Sequence, residues 1–257
     1  MKILPRRTLP SSTTVDRRHS PSATRTRFGY RRYRSCLRWD FGFSCAFCLL
    51  HESDFGVPGV EGLGLMGIEH FLPVSADQRQ VNSYENCFYC CRLCNEARSS
   101  VPSEDGGGRR LLNPCTDAWG SHYFLSQDDR LLPAAGNPDA WYTLNAYDLN
   151  DPRKIEMRRI RREDLDDWLE VLIEGPDLLK STLKAYRRTD TREEMARLMS
   201  LAKMLGRKIL RATRELRRRA AIPRDADAAC RCGRAQHRRL PAWLDAQTQE
   251  VELPPMT

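Results

Sequence analysis

A chain of 257 residues with 40% apolar side chains has room for one or two domains and enough apolar surface to bury a core, which excludes a wholly disordered protein. Its longest apolar stretches, such as Cys45 to Leu50, run only a few residues, far short of the roughly 20 that cross a bilayer, so no membrane span is expected. The net charge of +8 is concentrated at one end: residues 1–35 hold ten Lys or Arg against Asp16, a net +9, and the remainder holds 32 bases and 33 acids.

In chain order, residues 1–38 form a basic arm rich in Ser, Thr, Pro and Arg, with little to bury before Tyr30. Such a segment is expected to be solvated, and its charge suits a polyanion such as nucleic acid. Lys2, Arg6 and Arg7 are accompanied only by Ile3 and Leu4 before Pro5, without the apolar centre of a secretory signal, so a cytoplasmic location is expected.

The ten cysteines are then expected to be reduced, and their spacing points to a metal. Cys45 and Cys48 form one C-x-x-C; Cys91 and Cys94 form another, and two such pairs complete a four-sulfur zinc site. Cys87 and Cys90 make a competing C-x-x-C, so spacing alone does not select the second pair. The 42 residues between Cys48 and Cys91 exceed a zinc-ribbon gap and imply an insertion with its own role. Residues 39–125, with a Gly-rich stretch from Gly56 to Gly67 and a turn-prone run from Ser99 to Gly108, read as a loop-rich domain with short strands and one helix. So small a core needs a metal for stability.

Residues 126–220 read as a helical accessory region. Ile155, Ile160, Leu165, Trp168, Leu169, Leu172 and Ile173 repeat at helical spacing, Gly175-Pro176 predicts a break, and a further helix is expected from about Thr191, an N-cap, through Leu216. Arg158, Arg159, Arg161 and Arg162 offer a phosphate-contacting cluster, but Glu163, Asp164, Asp166 and Asp167 cancel it, which favours a solvated face. Residues 221–257, with Cys230-x-Cys232 and His237, read as a disordered tail.

The insertion contains Glu69-His70 followed by Pro73 and Ser75, then Asn86 five residues before Cys91-x-x-Cys94-Asn95, with Arg98 three places further on. This register resembles the zinc-containing subgroup of the HNH endonuclease family over about residues 43–125. The resemblance selects Cys91 and Cys94 as the second zinc pair. It implies an α+β fold: a zinc-stabilised ββα-metal core, in which a two-stranded ribbon packed on a helix grips a catalytic ion, followed by the helical region. It also implies that Asn86 holds the loop joining ribbon and helix. The family most often has Asp where this chain has Glu69, and Glu preserves oxygen ligation. The segment from Leu112 to Phe124 resembles one that follows the core in a bacterial HNH subgroup, where His122 either reaches the metal or phosphate or packs beside Trp119. His51 and Glu52, close after Cys48, either hydrogen-bond the metal-bound sulfur or lie exposed.

The chemistry follows from the residue types. Phosphodiester hydrolysis needs an activated water and a cation on the phosphate. Neutral imidazole suits His70 to the first task, and oxygen ligation of Mg²⁺ or Mn²⁺ suits Glu69 and Asn95 to the second. The expected function is a metal-dependent DNA endonuclease; the alternative is a non-catalytic, zinc-stabilised DNA-binding or interaction module on the same scaffold.

Overall fold

The computed structural model describes residues 14–17, 19, 21, 29–55, 65–73, 77–220 and 232, with backbone alone for 216–220. These fall into two compact units, one reaching Arg158 and including Cys232, the other Arg159–Ala221. The architecture is mixed helix and small antiparallel sheet.

The first unit opens with a 3-10 turn, Gly29–Tyr33, and helix α1, Arg34–Asp40. The amide of Gly42 returns to the Trp39 carbonyl and that of Phe43 to Arg38, while Gly42 takes φ +55°, a Schellman closure whose left-handed position favours glycine. Tyr33, Cys36 and Leu37 are buried in the main core. This corrects the expected arm boundary: residues 29–38 belong to the folded unit. The basic side chains of this segment also serve the core. Arg17 lies over the Phe88 ring at 4.5 Å and donates to the Tyr84 carbonyl, Arg34 donates to the Met66 carbonyl, and Arg38 pairs with Glu52 at 2.8 Å, both side chains buried. Part of the charge assigned to a polyanion is therefore committed internally.

A tight loop from Cys45 to Leu50, closed by the Cys45 amide on the Leu50 carbonyl, precedes strand β1, Met66–His70. β1 pairs antiparallel with β2, Cys87–Cys91, in a register setting Met66 opposite Cys91 and His70 opposite Cys87. β2 is buried along its whole length and runs directly into α2, Arg92–Arg98. Cys91 is the helix N-cap, its Sγ accepting the Cys94 amide at 3.4 Å.

The sheet-and-helix unit does not end at residue 125. A short helix α3, Trp119–His122, leads into β3, Tyr123–Leu125, paired with β4, Leu131–Pro133. Helix α4, Pro138–Ala146, is capped by Asn137 and buries Ala140 and Leu144. Tyr147 then stacks on Phe47 at 3.8 Å between ring centroids, tying this segment to the first cysteine loop.

The second unit consists of most of α5, Pro152–Tyr186, and α6, Arg192–Ala220, with Leu172, Ile209 and Ala212 at its small core. The break expected at Gly175-Pro176 is absent: α5 continues through it. Proline's Cδ clashes with the preceding residue's backbone N–H and Cβ, and Gly175 removes the Cβ part of that clash. The glycine also admits Ile209, whose Cγ1 would stand 2.9 Å from a Cβ at position 175. No described helix is long and apolar enough to cross a membrane. Cys230 and His237 lie outside the described residues; Cys232, expected in a disordered tail, has its Sγ 3.6 Å from His19 Nδ1.

Candidate metal centre and the Glu69–His70 strand

Cys45, Cys48, Cys91 and Cys94 are all buried, and their sulfurs lie within 4.8 Å of one another. The fold brings them together by two devices: the Cys45–Leu50 loop supplies one pair, and the junction of β2 with α2 supplies the other. The Ala46 amide donates to the Tyr89 carbonyl at 2.8 Å, locking the loop to the strand. Four sulfurs on an ion at about 2.3 Å in tetrahedral geometry stand about 3.8 Å apart. The Cys48–Cys91 separation is 3.7 Å. The competing Cys87 and Cys90 are core residues instead, with burial pushing the Cys87 thiol up to about 12 and Cys90 well above its usual range.

The protonation of the cluster fits a cation. Burial raises the Cys45 thiol, but hydrogen bonds from Cys48, Cys90, Cys91 and Cys94 outweigh it and leave the thiol well below its ordinary value. Burial drives Cys48 and Cys94 upward, and the bond to Cys45 raises Cys91. Burial therefore works against ionising most of these thiols when they stand alone, and a divalent ion lets them deprotonate. Lys154 adds compensating charge. It is completely buried, donating to the carbonyls of Tyr147 at 2.6 Å and Asp148 at 2.9 Å. Burial lowers its pKa, but the neighbouring Cys94, Cys48 and Cys91 reverse the sign and raise it. These four cysteines can therefore hold a structural metal ion such as zinc. Within the arginine group expected on a solvated face, Arg158 is drawn inward and donates to the Asp129 and Leu149 carbonyls.

Glu69 and His70 project to different surroundings, as adjacent strand residues must. His70 Nε2 donates to the Val81 carbonyl at 2.9 Å, and the ring meets Tyr30 edge to face at 4.6 Å. Because a carbonyl only accepts, Nε2 carries the proton and Nδ1 keeps its lone pair. Burial holds the imidazole below its ordinary value, against the Val81 bond that raises it.

Glu69 is buried, and desolvation pushes its carboxyl up to about 8 despite the opposing charge of Arg98. Arg98 is fully buried on α2; its Nη2 donates to the Phe71 carbonyl at 3.2 Å, while Nε and Nη1 meet no acceptor among the described residues. Tyr147, whose hydroxyl likewise has no partner among them, completes this buried polar group. Asn95 is exposed on α2. No match was found among protein-family models, curated proteins or solved structures.

Asn86 staples a loop, but not the one expected. Its Oδ1 accepts the Leu72 amide at 2.7 Å, and its Nδ2 donates to the carbonyls of Leu72 and Gln80. It thus closes the connection between the two strands rather than the ribbon–helix junction, because β2 runs into α2 with no loop to hold.

His122 accepts the Asn137 side-chain amide on Nδ1 at 2.7 Å, which puts the ring proton on Nε2 and leaves no ring lone pair for a metal. His51 and Glu52 are buried rather than exposed. Glu52 accepts from Nε and Nη2 of Arg38 and from the Tyr89 hydroxyl; His51 Nδ1 accepts the Ser53 amide. Sequence reasoning missed Lys154 and Tyr30. Neither forms a local pattern with the cysteines or with His70 that would mark its role.

Proposed function

We propose that the chain is a metal-dependent endonuclease of the HNH kind acting on DNA, with a structural Zn²⁺ on Cys45, Cys48, Cys91 and Cys94. The observation that carries the reading is the ββα succession. A strand bearing Glu69-His70 pairs with a strand that runs straight into the helix bearing Asn95, and the four cysteines brace the junction.

His70 is the general base. Its Nδ1 lone pair takes a proton from the attacking water, and the Val81 carbonyl fixes the tautomer and Tyr30 the ring plane. Glu69 and Asn95 offer the hard oxygens that Mg²⁺ or Mn²⁺ prefers, and such ions take few protein ligands. A divalent ion held there would neutralise charge on the phosphate and the departing oxygen. Asn86 keeps the interstrand loop, and with it Val81, in position.

The surroundings of Glu69 favour a second reading. Glu69 and the Arg98 guanidinium are both buried, and desolvation pushes the carboxyl up to about 8; a buried site that already holds a cationic side chain disfavours a second cation. On that account the chain is a zinc-stabilised binding module that keeps the scaffold without cleavage. Incubating supercoiled plasmid with the protein and Mg²⁺, Mn²⁺ or chelator separates the two. Nicking or linearisation that requires an added ion supports the nuclease; intact plasmid with every ion, from folded, zinc-loaded protein that still shifts DNA in a gel, supports the module.

A further inference from the structure

A second group of metal-ligating side chains stands outside the four-cysteine cluster. His19, Cys36 and Cys232 each offer a ligand atom, all within 4.8 Å of one another, and His19 and Cys36 are buried. We infer that these three residues form a second zinc site, with the fourth position left to water or another donor.

Three observations converge on it. The chemistry is right: two thiolates and an imidazole are the donors that zinc selects over harder ions. The orientation is right as well. His19 presents Nδ1 to the Cys232 sulfur at 3.6 Å, while Nε2 faces the Asp40 carboxylate, 4.0 Å from Oδ1. At that distance the carboxylate acts on the ring by charge, a weaker form of the backing that ligating histidines commonly have. Asp40 is itself fixed, accepting the His19 amide at 3.1 Å and the Tyr84 hydroxyl at 2.6 Å.

The site also joins distant parts of the chain. His19 and Cys232 are 213 positions apart, and Cys36 belongs to α1 in the main core. Binding would release the two thiol protons and tether both segments to α1. The tether does not depend on nuclease activity.

Metal content of the full-length protein, purified with zinc and measured by elemental analysis, tests this. Wild type is expected to hold two zinc ions per chain, and His19→Ala and Cys232→Ser one each, with unchanged circular dichroism. Cobalt substitution gives a second readout: both variants should lose part of the wild-type thiolate-to-cobalt absorption and keep the part that belongs to the four-cysteine site. If the four-cysteine site alone fails, wild type holds one ion and both variants none, which still supports the second site. Equal zinc content in wild type and the two variants would overturn it.

Discussion

One hydrogen bond decides which nitrogen of His70 can act. With the proton on Nε2 and the ring partly desolvated, the neutral base persists to lower pH than an exposed histidine allows. The acid limb of a cleavage profile is therefore expected below 6.5, the ordinary value for the group, in plots of log kcat/KM against pH. A limb at or above 6.5 would place another group in the role. A second residue-scale prediction concerns Arg38 and Glu52, which pair in the interior with Tyr89 completing the carboxylate's bonds. Arg38→Met leaves a buried carboxylate uncompensated and should cost about 3–5 kcal/mol in denaturant unfolding. Adding Glu52→Gln removes the stranded charge and should recover much of that loss.

At the scale of elements, the cysteine pairs and the strand–strand–helix succession were legible because both are local patterns: fixed spacings, and a motif register carried by consecutive residues. What escaped depended on distant partners. Spacing could not separate Cys91/Cys94 from Cys87/Cys90, since both are C-x-x-C; the strand–helix junction separates them by turning Cys91 and Cys94 toward the Cys45–Leu50 loop. Arg17 and Arg34 read as solvated, and Lys154 gave no signal, because nothing within a few residues announces the aromatic ring or carbonyls that receive them. Gly175-Pro176 read as a break because the rule for proline considers the helix alone. The neighbouring α6 contributes Ile209, which approaches where a side chain would otherwise stand. Gly175→Ala should therefore lower the thermal midpoint, by about 1 kcal/mol of stability: overpacking costs roughly 1–3 kcal/mol, and the gain in helix propensity returns up to about 1. An unchanged or raised midpoint would mean that the contact relaxes freely.

For the whole molecule, the first unit carries short strands and short helices around a core gathered on the four cysteines. Metal binding in such a domain is coupled to folding, so removing the ion should release it. Strong chelator is expected to abolish amide hydrogen-exchange protection across Met66–Arg98, and restored zinc to return it; protection that survives complete metal removal would show that the core stands without the ion. The Glu69, Arg98 and Tyr147 group bears on the central question differently, since its buried, unsatisfied donors sit next to the proposed ion ligand.

The most direct test of the account compares plasmid cleavage by wild type and His70→Ala in Mg²⁺ or Mn²⁺, with zinc content and circular dichroism measured on the same samples. The expected result is a loss of rate of about 10²–10⁴ in the variant with zinc and fold unchanged. Cleavage by the variant at the wild-type rate would contradict the role given to His70, and loss of zinc or fold in the variant would show that the residue is structural.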